Sequence, residues 1–224
     1  MPLNRFFVEA PLIVGSHITL DKKEAHHLRV LRKKKGATVE LINGEGILAH
    51  AEVGETLHIT KVEEGAPPPP IILCQAIPRL NRLDTILEKC TEIGMQEVWL
   101  FPGERSEKKE LTKNQLERTK HMLKAALKQC GRLHLPKLSL KPPIKKWDKL
   151  PGLTLFGDLK GKATFPQKLD APIHFIIGPE AGFSPEEEEK LHTLGQGVHL
   201  NDAILRTDTA PLTALSILNY ILLT

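Results

Sequence analysis

The run GAPPPP at residues 65–70 divides the chain into two stretches with different hydrophobic patterns. Proline has no backbone N–H and a fixed φ, so four in succession can neither continue a helix nor join a sheet interior; they form an extended spacer. Upstream, apolar residues come in short bursts, FFVEA, HITL, TVELI, ILAHAEV and LHITKV, punctuated by Gly15, Gly36, Gly44, Gly46 and Gly54. Bursts of that length, partly alternating and rich in β-branched or aromatic residues, predict the strands of a small β-barrel or sandwich. One short helix is expected over Lys22 to Leu31.

Downstream the pattern alternates between strand and helix. IILCQAI is a continuous apolar run, as in a strand buried on both faces. Leu83, Ile86, Leu87, Cys90 and Ile93 recur at helical spacing, with Gly94 placed to end the helix. EVWLF is a second strand, and Leu116, Leu123, Leu127 and Cys130 mark a second helix closed by Gly131. LTLFGD and PIHFIIG are two more strands. Ser184, Pro185 and Glu186 to Glu189 form a strong helix start: a capping hydroxyl, a first-turn proline, and carboxylates favoured by the helix dipole. The last helix, Thr209 to Leu223, is apolar almost all round and is expected to be buried, against its own chain or another subunit. The expectation is an α/β protein of two domains, 1–68 a β-barrel and 71–224 a parallel sheet covered on both faces.

Charge separates along the same axis. Residues 1–150 hold 26 Lys and Arg against 18 Asp and Glu, whereas residues 151–224 hold 5 against 9. A basic front suggests a polyanion held there and a different ligand behind, although scattered solvating lysines have the same look. Cys74, Cys90 and Cys130 are odd in number and without a CxxC pair, which argues against disulfides and zinc and for reduced thiols in the cytoplasm. Glu9, Pro11 and Gly15 interrupt the N-terminal apolar stretch, so it does not read as a leader. Leu212 to Leu223 falls short of the roughly 20 residues a membrane span needs. Neither a membrane nor a metal is expected.

Three segments can carry chemistry. In IIGPEAGFSPEEE a buried strand ends at Gly178 and a loop runs to a helix near Ser184; in open parallel sheets ligands bind beyond such strand ends. A phosphate loop is ruled out because GxxxxGK[ST] is absent. The glycines allow close backbone approach, and Glu180 suggests a ligand with hydroxyls or positive charge, yet a plain structural turn would look similar. In HLNDAILRTDTAPLTAL, Arg206, Asp208 and two threonines crowd a helix N-terminus. Capping by Thr207 or Asp208 explains the cap and leaves Arg206 without a task. The third segment is a basic series: Arg29, Arg32, Lys33, Lys34 and Lys35 first, then Arg79, Arg82, Lys108 and Lys109, then Arg118, Lys120, Lys124, Lys128 and Arg132 on one helix. Such clusters neutralise phosphate, though a solvated face is the default for the helical group. Aromatic residues make up 4% of the chain, so shape and backbone recognition is favoured over base stacking. His26 and His27 lack partners at metal-ligand spacing and are read as structural.

Taken together, HHLRVLRKKKGATVELINGEG, LEKCTEIGMQEVWLFPGERSE, KAALKQCGRLHLP, IIGPEAGFSPEE and ILRTDTA resemble the small-subunit (16S) ribosomal RNA uridine N3-methyltransferases of the SPOUT class. The likeness covers nearly the whole chain. It implies a PUA-like RNA-binding barrel at the N-terminus and a SPOUT α/β domain whose C-terminal loops thread a deep trefoil knot, an exception to the rule against knots. It implies S-adenosyl-L-methionine (AdoMet) as cofactor, rRNA in the small subunit as partner, and a homodimer whose sites borrow from the neighbouring subunit. By matching position, the cofactor loops are Ile177, Gly178, Pro179, Glu180, Ala181 and Gly182; Leu200, Asn201, Ile204, Leu205 and Arg206; and Phe156 with Gly157. Arg206 is the catalytic candidate, with Glu180, Asp208 or solvent taking the proton. Arg29, Arg32, Lys33, Lys34, Arg79, Arg82, Arg105 and Arg132 are the expected RNA contacts. Ala181, Asn201 and Asp208 stand where the family usually has Gly, Gly and Glu. Two other functions fit the same segments: a SPOUT enzyme acting on another base or on ribose, and a non-catalytic RNA-binding assembly factor.

Overall fold

The computed structural model describes residues 4–224, and its chain groups into two compact units. One holds the residues up to Pro67 together with Leu123–Leu135; the other holds Pro68–Met122 and Pro136–Thr224.

The first unit contains β1 (Arg5–Phe7), β2 (His17–Ile18), α1 (Lys22–Val30), β3 (Thr38–Ile42), β4 (Ile47–Val53) and β5 (Leu57–Glu64). They form a five-stranded sheet in the order β1-β3-β4-β5-β2, antiparallel except for the parallel pair β1 and β3. Alternation puts Val39, Leu41, Ala49, Ala51 and Ile59 on one side, where they close a core with Phe6 and Leu57. Asp21 caps α1 by accepting from the Glu24 N–H at 2.7 Å. Leu123–Leu135 adds a further layer: Leu127 packs on Phe7 and Ile42, and Lys128 reaches the buried Glu24 at 2.6 Å.

The second unit contains β6 (Ile71–Ala76), α2 (Leu80–Ile93), β7 (Glu97–Phe101), the start of α3 (Lys113–Cys130), β8 (Lys137–Leu140), β9 (Leu153–Gly157), β10 (Ile173–Ile177), α4 (Pro185–Leu194), β11 (Gln196–Val198) and α5 (Ala210–Leu223). Its sheet runs β11-β9-β10-β6-β7-β8 and every pairing is parallel. Every residue of β6 and β10 is buried, which explains their unbroken apolar sequences. On one face Ile72, Cys74, Phe156 and Ile176 pack with Leu191 and Leu194 of α4 and with Trp147. Against the sheet's other side, α2 and α5 pack on each other, and α5 also meets β6 and β10. Of the apolar α5, Pro211, Ala214, Leu215 and Leu218 are buried, but Tyr220, Leu222 and Leu223 are exposed. No helix among the described residues is long and apolar enough to cross a membrane.

Candidate functional site

Strands β11, β9 and β10 lie side by side and parallel, so the loops that follow them leave the same edge of the sheet. Those loops enclose a cavity of about 430 Å³ in the second unit. Small-molecule pockets span roughly 300–1,000 Å³. Phe156, Gly157, Asp158 and Lys160 come from the end of β9; Ile177, Gly178, Pro179, Ala181 and Gly182 from the end of β10; and Leu200, Asn201, Leu205 and Thr207 from the segment between β11 and α5.

Local chemistry explains the shape. Gly182 takes φ 73° with nothing within 4 Å of where a Cβ would lie, so the loop turns there and leaves its backbone open to the cavity. A Cβ on Gly178 would come within 3.0 Å of the Phe183 ring, so a side chain there would push the ring off the wall. Phe156 meets His192 of α4 edge-on at 5.1 Å. The loop then enters α4 through a full capping box, in which Ser184 and Glu187 exchange side-chain-to-backbone hydrogen bonds.

The buried Glu187 also accepts from the Glu104 N–H at 2.9 Å, tying the loop after β7 to the start of α4. Ser184 donates its hydroxyl to the Glu104 carboxylate, and Lys145 approaches it at 2.9 Å. Those two partners, Ser184 first, hold the Glu104 carboxyl below its ordinary range. The pinned loop carries Arg105 to the cavity wall, where its guanidinium meets the Ala181 carbonyl at 3.5 Å.

Ten of the thirteen positions expected to meet the cofactor line this cavity: Phe156, Gly157, Ile177, Gly178, Pro179, Ala181, Gly182, Leu200, Asn201 and Leu205. Glu180, Ile204 and Arg206 do not. Ile204 is exposed, Arg206 has a side chain 70% exposed, and Glu180 turns toward Arg82. Asp158, Lys160, Phe183, His192 and Thr207 also line the cavity and are not among the expected cofactor contacts, although Asp158, Phe183 and Thr207 lie within the segments read from the sequence. Asp158 and Phe183 directly follow positions that the motifs do mark, so continuing those loops by a residue finds them.

The expected RNA contacts have different settings. Arg29, Arg32 and Lys34 are exposed, Lys33 is half-buried, and none of these four first-unit residues forms an ion pair among the described residues. Arg132 is half-buried, also in the first unit. In the second unit Arg79 is bound by Glu107, Arg82 faces Glu180 and Asp208, and Arg105 lines the cavity. The charges of α3 are largely paired, Arg118 with Asp84, Lys120 with Glu117, Lys124 with Glu9 and Lys128 with Glu24.

The RNA methyltransferase domain family matches residues 66–219, the span that holds the parallel sheet and the cavity, and the RNA methyltransferase PUA domain matches 20–62. This chain belongs to the RNA methyltransferase family. Among curated proteins, ribosomal RNA small subunit methyltransferase E of Synechocystis is 28% identical over 97% of this chain and 78% of its own. The protein of that name from Aquifex aeolicus is 29% identical over 91% of this chain and 94% of its own. Among solved structures, ribosomal RNA small subunit methyltransferase E of Neisseria gonorrhoeae bound to S-adenosyl methionine superimposes with a TM-score of 0.86 at 26% identity, over 97% of both chains. A Legionella pneumophila protein solved with SAM gives 0.84 at 26% identity, over 96% of both. For a family member, the parallel sheet and its C-terminal-edge cavity are therefore the methyltransferase part, and the five-stranded sheet is the PUA-like part.

Proposed function

We propose that this chain is an AdoMet-dependent methyltransferase that modifies N3 of a uridine in small-subunit ribosomal RNA. The observation that carries the reading is the convergence of three loops, after β9, β10 and β11, on one cavity at the carboxyl edge of a parallel sheet. That is where such sheets hold ligands. The residues suit AdoMet: Phe156, Ile177, Leu200 and Leu205 give an apolar slot for a purine, while Asp158, Asn201, Thr207 and open loop backbone at Gly182 offer polar groups to a ribose and an amino acid tail.

AdoMet supplies an already activated methyl group. The protein's work is to align the acceptor nitrogen with that group, exclude water, and accommodate one proton. Uracil N3 is engaged in pairing within a helix, so the target nucleotide is unpaired or turned out of its stack. Arg206 is exposed beside the cavity, 3.8 Å from Asp208, and its guanidinium steadies the negative charge that spreads over the uracil oxygens. Glu180 and Asp208 both face cations outside the cavity lining, so the N3 proton passes to water.

The unpaired patch Arg29, Arg32, Lys33 and Lys34 grips RNA phosphate, and Arg132 of the same unit adds a further contact. The loops walling the cavity form the trefoil knot of the SPOUT class, and the working form is a cytoplasmic homodimer. The exposed Tyr220, Leu222 and Leu223 of α5 support pairing, since an apolar helix end in water favours burial.

Mass spectrometry of nucleosides from small-subunit rRNA, with and without this gene, tests the proposal. Loss of N3-methyluridine is expected. Loss of another methylated nucleoside would move the reaction to a different base or to ribose. An unchanged profile would favour an assembly factor.

A further inference from the structure

The basic series marks Arg82 as an RNA contact, but its surroundings give it another task. It projects from the first turn of α2 with a side chain 19% exposed, 3.7 Å from Glu180 and 4.0 Å from Asp208. Glu180 belongs to the loop after β10, and Asp208 to the turn before α5. Their chain neighbours Pro179, Ala181 and Thr207 line the cavity, whereas the two carboxylates do not.

The same helix start grips the β10 loop a second time, because the Arg79 N–H donates to Glu180 at 3.2 Å. The buried Oδ1 of Asp208 accepts no hydrogen bond from the described residues and has Arg82 at 4.0 Å and Arg206 at 3.8 Å. One guanidinium is thus shared by two anions on two separate walls. Without that cation the two carboxylates would repel across a half-buried gap, where screening is weaker than in bulk water. A phosphate contact, by contrast, needs a cation free to leave its partners.

We propose that Arg82 is a positioning residue of the methyl-donor site. It ties the loop after β10 to the turn before α5 through Glu180 and Asp208, sets the width of the cavity between them, and does not hold RNA phosphate. The inference rests on the AdoMet reading of that cavity, and its test has one arm independent of any ligand.

Hydrogen exchange of the ligand-free protein is compared for the parent, Arg82→Gln, Arg82→Lys, the pair Glu180→Gln with Asp208→Asn, and the triple variant. AdoMet and unmodified rRNA are titrated separately into each. Arg82→Gln should speed exchange at 178–183 and 205–209 together and raise the AdoMet Kd roughly threefold to fivefold, the upper scale of a partly exposed ion pair. Arg82→Lys should fall between it and the parent. In the triple variant, removing Arg82 should cost little beyond the carboxylate pair, because the interaction is already gone. RNA affinity should stay within about twofold throughout. Unchanged exchange in both loops, a full additional loss in the triple variant, or weakened RNA binding with AdoMet binding intact would each overturn the proposal. Parent protein with no AdoMet binding but coupled loop exchange would overturn the AdoMet reading and the donor-site role, leaving only a structural tie.

Discussion

Ser184 and Glu187 cap each other at the start of α4: the Glu187 N–H donates to Ser184 Oγ at 3.2 Å, and the Ser184 N–H donates to the Glu187 carboxylate at 3.0 Å. Because Glu187 also accepts from the Glu104 N–H at 2.9 Å, one buried carboxylate fixes the end of the cavity loop and the loop bearing Arg105. Glu187→Ala leaves two N–H donors without their acceptor and should cost about 1–3 kcal/mol. In a chain of this size that lowers the melting temperature by roughly 2–10 °C. Glu187→Gln keeps one acceptor oxygen and should lose less. Scanning calorimetry checks both; equal melting temperatures for Glu187→Ala and the parent would show that the carboxylate pins nothing.

Arg206 stands outside the cavity lining with an exposed guanidinium whose partner is Asp208 at 3.8 Å. If it acts on the acceptor base, Arg206→Ala should reduce kcat by about 100-fold or more, the scale for losing a charge-stabilising donor. The AdoMet Kd should change little. Single-turnover methyl transfer and calorimetry separate the two effects, and near-normal turnover would remove Arg206 from the chemistry.

The patch formed by Arg29, Arg32 and Lys34 is exposed and free of ion pairs with the described residues, so its members have no partner to abandon on meeting phosphate. Replacing all three with Ala should weaken rRNA binding across sequences and make its dependence on log salt concentration shallower by about one for each phosphate no longer neutralised. AdoMet binding should be untouched. A salt slope equal to that of the parent would place the RNA elsewhere.

His174, almost fully buried in β10 beside Trp99, has its pKa held below the usual 6.5 by burial, against the smaller opposing pull of Glu97. A depressed folded value means the unfolded chain binds the proton first. This residue's contribution is therefore complete above pH 6.5 and is lost as pH falls from 6.5 through the folded value. Melting temperatures measured downward from pH 7 should fall less steeply in His174→Leu than in the parent. Parallel curves would contradict the assignment.

Much of this architecture is written locally. The unbroken apolar runs of β6 and β10 announce strands buried on both faces, and Ser184-Pro185 followed by glutamates announces α4. The cavity loops are legible where motif and strand end coincide, as at Gly157 and at Ile177 to Gly182 apart from Glu180. What stays hidden depends on distant partners. The edge strand β8 is half exposed and weakly patterned, so nothing in KLSL stands out. That Leu123–Leu135 groups with the first unit has no sequence signal, because helical spacing shows which face is apolar and not what covers it. The same limit applies to Glu104 with Glu187, 83 positions apart, and to Arg82, whose neighbours Glu180 and Asp208 lie far from it in sequence.

Hydrogen-exchange mass spectrometry during an AdoMet titration tests the central claim most directly, because it reports both affinity and location. Saturable binding with a Kd in the micromolar range or tighter is predicted, with protection confined to the loops around Phe156–Lys160, Ile177–Phe183 and His199–Thr207. Absence of binding at high micromolar AdoMet, or protection arising elsewhere in the chain, would contradict it.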